Sequence, residues 1–190
     1  MIARDSLTTV LSALGATLAE RGLAYEILVV GGSGLLLLGS IARSTKDVDV
    51  VAIRHEGEFR EASSLPEPLR DAAAATARAF GLSDDWLNTG PADLMFFGLP
   101  EGYRDRLQVS TYGGLTVYAA GRLDQIALKL YAATDATRLR DLDDLRAINP
   151  SEPELLEAAA WVIAHRLRRF RYDVAYLLRE LGVEDADEKL

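Results

Sequence analysis

The chain has 190 residues, of which 49% are hydrophobic and 26% charged, a composition typical of a globular protein with a sizeable core. It contains no cysteine, which excludes disulfides, thiolate metal sites and cysteine nucleophiles and suits a reducing cytoplasm. The formal net charge of −8 would repel nucleic acid, so a polynucleotide substrate would need a local basic patch.

The chain begins with a predicted helix and a buried strand. Apolar residues recur at helical spacing after Ser6, which predicts a helix over residues 7–20 with Gly22 just past its end. The stretch YEILVVGG, which begins at residue 25, is typical of a buried strand that runs into a glycine turn. We expect no signal peptide, and the apolar runs are shorter than the roughly 18 residues that span a membrane.

A short helix and a second strand are predicted after the glycine turn. The run SGLLLLGS, residues 33–40, has no clear period, but its place after a strand and a Gly-Gly-Ser turn favours a helix. The run DVDVVAI, residues 47–53, is rich in β-branched residues and predicts a strand. Alternation along that strand would place Asp47, Asp49 and Val51 on one face.

The middle of the chain combines loops, one helix and one hairpin. Residues 54–66 are polar and are predicted to form a loop. The alanine-rich residues 67–80 predict a helix. Residues 107–119 predict a β-hairpin, because two alternating runs flank the Gly-Gly turn at Gly113.

The C-terminal part has a helical pattern. Two helices are predicted, over residues 122–134 and residues 138–147. The stretch NPSEPE then interrupts the pattern, and Ser151 with Glu154 forms a capping-box motif. That motif predicts one long helix over residues 153–181.

This order of elements predicts an α+β fold, since mixed strands are followed by a run of helices. We expect residues 1–121 to form a mixed sheet flanked by helices. We expect residues 122–190 to form a helical region that packs on that core as part of one compact unit. The sequence contains no internal repeat that would indicate a solenoid.

The aspartates of the second strand indicate a cation site. Asp47 and Asp49 are two residues apart, so their carboxylates would leave the same face and repel each other unless a cation lies between them. Mg²⁺ prefers hard oxygen ligands and often binds one or two carboxylates together with substrate phosphates. Backbone N–H groups of the turn formed by Gly31, Gly32 and Ser33, with the Ser33 hydroxyl, are suited to hold a nucleotide phosphate.

Each of these motifs is weak alone, since an Asp-x-Asp pair and a Gly-Gly-Ser turn both occur often by chance. Their occurrence in this order is more informative, because Arg43, Thr45 and Lys46 come just ahead of the aspartates. Together they favour metal-assisted phosphoryl or nucleotidyl transfer over a structural role.

The stretch GGSGLLLLGSIARSTKDVDVV, residues 31–51, resembles the nucleotidyltransferase-fold signature of the polymerase-beta superfamily. Its Arg-x-Thr-x-Asp-x-Asp part more closely resembles the AbiEii-type toxins of abortive-infection toxin–antitoxin systems. The stretch DDWLN, residues 84–88, is similar to uncharacterised bacterial relatives of that branch. The branch also carries a lysine, an arginine and two aspartates further along the chain, which are matched here by Lys129, Arg138, Asp141 and Asp144.

The resemblance implies a nucleotidyltransferase-like core and a role for each matching residue. It implies a catalytic set of Asp47, Asp49, Lys129, Asp141 and Asp144. Within that set the first two residues would bind Mg²⁺, or Mn²⁺ in its place, and the lysine would offset phosphate charge. Asp141 or Asp144 would complete the site or orient the lysine. The implied nucleotide-binding residues are Gly31, Gly32, Ser33, Arg43 and Thr45.

The implied activity is transfer of a nucleotide from an NTP to a tRNA end or a protein side chain, by a cytoplasmic toxin that a cognate antitoxin would inhibit. One departure puts this activity in doubt. Active members of the superfamily often carry a third carboxylate on a later strand, and the predicted hairpin at 107–119 contains none. The alternatives are a catalytically inactive module that binds nucleotides or a partner, and a purely structural oligomer.

Several of these residues also have structural interpretations. Lys129 would extend to solvent from an apolar helix, and Asp141 with Asp144 would form a surface salt-bridge cluster. The arginine-rich stretch HRLRRFRYD, residues 165–173, could bind an RNA backbone. The favoured interpretation is a helix whose arginines face solvent and whose apolar stripe packs on the core, at Trp161, Leu167, Phe170, Val174, Leu177 and Leu178. In DDWLN, a core position is predicted for Trp86 and a turn-capping role for Asn88.

Overall fold

The computed structural model describes residues 1–135, 139–165 and 170–190. Some residues that the sequence analysis singled out lie outside this description: Arg138, Arg166, Leu167, Arg168 and Arg169. No helix within the described part of the chain has both the length and the apolar character needed to cross a bilayer.

The chain folds into two compact units. The first, called the sheet unit, comprises Met1–Leu99 and Tyr103–Gly121. The second, called the helical unit, comprises Pro100–Gly102 and Arg122–Leu190. The acidic pair and the glycine turn belong to the sheet unit, whereas Lys129 belongs to the helical unit.

The sheet unit alternates helices and strands. Its helices are α1 (Arg4–Glu20), α2 (Gly31–Leu38), α3 (Glu67–Phe80) and α4 (Leu94–Phe97). Its strands are β1 (Tyr25–Val30), β2 (Val48–His55), β3 (Glu58–Glu61), β4 (Leu87–Asn88), β5 (Gln108–Tyr112) and β6 (Leu115–Ala119). A 3₁₀ turn over Tyr103–Arg106 precedes the final hairpin.

The six strands form one mixed sheet with the order β3-β2-β1-β6-β5, and β4 also pairs with β2. Strand β1 is antiparallel to β2 and parallel to β6, and β4 runs parallel to β2. Helices flank the sheet, and a helical region follows it along the chain. The predicted α+β fold class is therefore confirmed.

Helix α1 contacts α3 and the hairpin of β5 and β6, and its predicted apolar stripe faces the core. The stripe is buried, at Leu7, Val10, Leu11, Leu14 and Leu18. Gly15 allows close approach, because a β-carbon there would lie only 1.5 Å from the carbonyl oxygen of Tyr112. The helix backbone therefore lies directly against the end of β5.

The prediction of a loop over residues 54–66 is wrong. Strand β2 continues to His55, and β3 returns along it as an antiparallel hairpin. Glu56 and Gly57 have φ angles of 52° and 86°, as a type I′ turn requires at both central positions. Strand β3 has no buried residue, so its sequence lacks the alternation that marks a half-buried strand.

The helical unit contains the remaining helices. They are α5 (Arg122–Ala133), α6 (Leu139–Ile148), α7 (Glu152–His165), α8 (Arg171–Glu180) and α9 (Ala186–Lys189). The first two of them begin and end within one residue of the predicted bounds. Helix α5 contacts α6, α7 and α8. The core of this unit therefore forms around α5, whose residues 124–130 are all buried.

The prediction of one helix over residues 153–181 is wrong, because Phe170, directly before α8, lies in a 3₁₀ turn and not in an α-helix. A straight helix of that length would extend about 43 Å, whereas α5 extends about 18 Å. Two shorter helices can both place their apolar residues against α5, and both contact it. The buried residues of α8 include Val174, Leu177 and Leu178, which confirms that part of the predicted apolar stripe.

The half of the predicted capping box in which the glutamate accepts the serine N–H is present at the start of α7. The Ser151 amide and hydroxyl both donate to Glu154 Oε2, at 2.8 and 2.9 Å. Arg122 also donates to the Glu154 carboxylate, with its Nε 2.8 Å from Oε1. The Arg122 guanidinium, followed by the Ser151 donors, lowers the pKa of Glu154 from 4.5 to about 2 against an opposing effect of burial.

Glu154→Gln is expected to lower the free energy of unfolding at pH 7 by about 1–2 kcal/mol, since it removes a charged partner of Arg122. The folded-state pKa lies below the unfolded value, so this stabilisation is complete above about pH 4.5 and disappears as the pH falls towards 2. Urea unfolding at several pH values measures it. Glu157→Gln, at an exposed position of the same helix, is the control, and equal losses for both variants would contradict the prediction.

Candidate functional site

The glycine turn is the start of a helix. Helix α2 begins at Gly31, directly after β1, two residues before the predicted start. Gly31 has a φ angle of 68°, which favours glycine. The amide N–H groups of a helix's first turn point out of its N-terminal end, where the helix dipole favours an anion.

Ser33 contributes to this turn through its backbone more than through its side chain. The residue is fully buried, and its hydroxyl donates to the carbonyl oxygen of Val30 at 3.2 Å. The hydroxyl therefore closes the junction of β1 with α2. A phosphate at the helix N-terminus would be bound by backbone N–H groups in this arrangement.

Asp49 lies against the glycine turn. Strands β1 and β2 pair so that Val30 is opposite Asp49. A β-carbon at Gly31 would lie 2.8 Å from Asp49 Oδ2, so only glycine leaves room for this carboxylate. The predicted carboxylate and the predicted phosphate turn, 18 residues apart along the chain, are therefore in contact.

Asp47 lies one residue before β2, and the Thr45 side chain contacts it. The Thr45 hydroxyl lies 3.3 Å from the carbonyl oxygen of Asp47 and 3.5 Å from its carboxylate Oδ1. The backbone of Thr45 pairs with Ile2 through two hydrogen bonds of 2.6 and 2.9 Å. The N-terminal residues thus hold the segment that carries the first aspartate.

Thr45 and Arg43 also border the glycine turn. A β-carbon at Gly32 would lie 2.8 Å from Thr45 Oγ1 and 3.6 Å from a guanidinium nitrogen of Arg43. The same guanidinium nitrogen donates to the carbonyl oxygen of Ser44 at 3.1 Å. The structure therefore brings a cationic side chain, a hydroxyl and a carboxylate together around the first turn of α2.

Asn88 is a residue of this site that the sequence analysis assigned to a turn only. The amide N–H of Gly90 donates to Asn88 Oδ1 at 2.8 Å, which is the predicted capping contact. In addition, Asn88 is the register partner of Asp49 in the β2–β4 pair, and its Nδ2 lies 3.4 Å from Asp49 Oδ1. The resemblance of DDWLN to bacterial relatives was the one signal that could have indicated this second role.

The predicted core position of Trp86 is confirmed, and it explains how β4 is held. The residue is fully buried, and its indole N–H donates to the carbonyl oxygen of Ala73 at 3.0 Å. Its own carbonyl accepts the amide N–H of Val48 at 2.5 Å. Trp86 therefore fixes the short strand both to α3 and to the start of β2.

The acidic pair fits a cation that substrate phosphates help to bind. The described residues contain no group of three or more His, Cys, Asp or Glu side chains that could hold a metal ion. Mg²⁺ commonly uses only one or two protein carboxylates, with water and phosphate oxygens completing its coordination. Asp47 and Asp49 could therefore supply the one or two carboxylates of such a site, but they are too few to surround a metal ion by themselves.

Lys129, Asp141 and Asp144 form a buried ion-pair cluster in the helical unit. The lysine Nζ lies 2.5 Å from Asp141 Oδ1 and 2.9 Å from Asp144 Oδ2. Lys129 is 9% exposed and Asp144 is 1% exposed. The two structural interpretations, a lysine that extends to solvent and a salt-bridge cluster on the surface, are therefore wrong, because all three residues are buried. The predicted association of the lysine with the two aspartates is present, and Arg138 lies outside the described residues.

The mixed sheet, with an acidic residue of β2 against the glycine turn that follows β1, agrees with the nucleotidyltransferase resemblance of residues 31–51. Over residues 5–161 the chain matches the model of a family described as nucleotidyltransferase of unknown function (DUF6036). The match covers most of the chain, so the protein belongs to this family. No curated protein and no solved structure matches the chain significantly.

Proposed function

We propose that this protein is a cytoplasmic nucleotidyltransferase that uses Mg²⁺ or Mn²⁺ to transfer a nucleotide from an NTP to an acceptor. The contact between Gly31 and Asp49 carries the proposal. This contact sets a carboxylate, a group of the kind that binds Mg²⁺, beside a helix N-terminus of the kind that binds phosphate. Two anions at that point require a cation, which explains why the carboxylates and the turn belong together.

The proposed reaction is an in-line attack of an acceptor hydroxyl on the α-phosphate. The new bond joins the acceptor oxygen to the α-phosphorus, and the hydroxyl proton passes to water. The bond from that phosphorus to the α,β-bridging oxygen breaks, so that pyrophosphate leaves. The first turn of α2 and Arg43 would bind the triphosphate. Asp47 and Asp49 would hold the divalent cation, which when bound neutralises phosphate charge. Thr45 would orient the first of these carboxylates through its hydroxyl.

Lys129 has a narrower role in this proposal than the resemblance implied. Its ammonium already contacts Asp141 and Asp144 at hydrogen-bond distance. These contacts support the form of the prediction in which the two aspartates orient the lysine.

The acceptor and the biological role rest on the AbiEii-type resemblance of residues 43–49. That resemblance supports a tRNA end or a protein side chain as the acceptor. It also supports the role of a toxin that has a cognate antitoxin. A small regulator gene next to the coding sequence, whose product suppresses growth arrest caused by this protein, would support the toxin role.

Transfer of label from each of the four α-labelled NTPs to total tRNA or to cell proteins, with Mg²⁺ or Mn²⁺, tests the activity. Asp49→Ala is expected to reduce transfer more than about 100-fold, because it removes one of two carboxylates for the cation. Asp71→Ala, at an exposed position of α3, is the matched control and should retain activity. Absence of transfer, or equal transfer by the Asp49 variant, would refute the enzymatic proposal.

A second function, a nucleotide-binding module without catalysis, is favoured by one observation. The described residues provide no third carboxylate in a metal-binding group with Asp47 and Asp49. Such a module would bind Mg-NTP in a calorimeter and turn none of it over. Measurable turnover that depends on Asp49 would exclude it.

A further inference from the structure

The Asp49 carboxylate is contacted on both of its oxygens. Oδ2 lies against Gly31, at 2.8 Å from the position of a β-carbon on that glycine. Oδ1 lies 3.4 Å from the side-chain nitrogen of Asn88, which is long for a hydrogen bond. The carboxylate plane is therefore bounded by the helix start on one side and by an amide on the other.

The orientation of the Asn88 amide follows from its two neighbours. The Gly90 N–H can only donate, so the Asn88 atom 2.8 Å from it is the carbonyl oxygen. The amide nitrogen then faces the carboxylate of Asp49, which accepts when it is ionised. Each half of the amide thus has a partner that matches its chemistry.

The backbone under Asn88 is also held firmly. Strands β2 and β4 pair with Val48 opposite Leu87 and with Asp49 opposite Asn88. Trp86, two residues before Asn88, is fully buried and anchors the start of β4 through the hydrogen bonds described above. A side chain on such a support has little freedom to turn away from its partner.

We propose that Asn88 is a positioning residue for Asp49, and that it holds the carboxylate in the orientation that binds the divalent cation. The inference rests on the proposed function, because it assigns the cation to Asp49. A neutral amide donor can hold Oδ1 without adding a charge. A third carboxylate at this position would instead repel Asp49 in the absence of a cation.

Two variants separate this role from the capping of the turn. Asn88→Ala removes both contacts of the side chain. Asn88→Ser keeps a hydroxyl that can accept the Gly90 N–H, as serine does in turns, but this side chain is too short to reach Asp49. If Asn88 acts only in the turn, the serine variant should behave as wild type.

The experiment measures Mn²⁺ binding to the full chain by electron paramagnetic resonance, without nucleotide, and nucleotide transfer in a separate assay. Both variants are expected to bind Mn²⁺ about 10-fold more weakly, as is typical when a partner of a metal ligand is lost. We expect kcat to fall by a similar factor with the KM for NTP within about two-fold. Thr89→Ala, in the same turn, is the matched control and should bind as wild type.

The outcomes distinguish this inference from the proposed function. Weaker Mn²⁺ binding by both Asn88 variants supports the positioning role, even if wild type transfers no nucleotide and the proposed activity fails. Wild-type affinity in the serine variant, or no Mn²⁺ binding by wild type, overturns the inference. In either of those cases the transfer assay still decides the proposed activity by itself.

Discussion

Gly31→Ala is expected to lower the free energy of unfolding by about 2–3 kcal/mol and to abolish nucleotide binding. About 1 kcal/mol is expected from the positive φ angle of 68°, which a β-carbon disfavours. The rest arises because the new methyl group would lie 2.8 Å from Asp49 Oδ2 and must displace the carboxylate. Urea unfolding measures the first effect, and calorimetry with Mg-NTP measures the second.

Gly22→Ala provides a matched control for this prediction. Gly22 has the same φ angle of 68°, but nothing lies within 4 Å of the position of its β-carbon. Its replacement should therefore lose about 1 kcal/mol only, with nucleotide binding intact. In an Asp49→Ala background the effect of Gly31→Ala should shrink to the same value, because the obstructing carboxylate is gone. Equal losses at both glycines in the wild-type background would contradict the contact between Gly31 and Asp49.

Lys129→Met is expected to destabilise the helical unit by about 3–5 kcal/mol. The substitution keeps an apolar stem of similar length but leaves Asp141 and Asp144 buried without the ammonium that contacts both. The chain has two tryptophans, and each unit contains one of them: Trp86 lies in the sheet unit and Trp161 in the helical unit. Tryptophan emission during urea unfolding, compared with and without Trp161→Phe in both wild type and variant, therefore reports on the unit that loses stability.

Two controls accompany the lysine variant. Lys46→Met removes an exposed lysine and should change the free energy of unfolding by less than about 0.5 kcal/mol. Adding Asp141→Asn and Asp144→Asn to Lys129→Met should recover part of the stability, because no unpaired charge then remains in the core. A loss no larger than that of the exposed lysine would show that the cluster is not buried in solution.

Local patterns in the sequence were sufficient for most helices and for the two central strands. The stripe of α1 and the capping box of Ser151 with Glu154 were both identified, because helical periodicity and cap chemistry depend on residues only three or four positions apart. The hairpin at 107–119 was identified from its Gly-Gly turn. The edge strand β3 was missed, since exposed polar residues give no burial pattern.

The sequence also contained the elements of the candidate site but not their contacts. The Gly-Gly-Ser turn and the two aspartates were recognised as a set from order and spacing. Their physical association depends on the pairing of β1 with β2, which places Val30 opposite Asp49. Asn88 joins them from 39 residues away through the pairing of β2 with β4. A two-residue strand has no period of its own, so no local pattern could place that side chain.

The sequence by itself determined the candidate residues: the glycine turn, the acidic pair, and the lysine with its two aspartates. Only the tertiary structure decided how these groups are used. It brought the Asn88 amide against the Asp49 carboxylate, paired the Ser33 hydroxyl with the carbonyl oxygen of Val30, and buried Lys129 with its two aspartates. The reason is that residue type and periodicity report local conformation, whereas burial and side-chain contacts depend on elements brought together from distant parts of the chain.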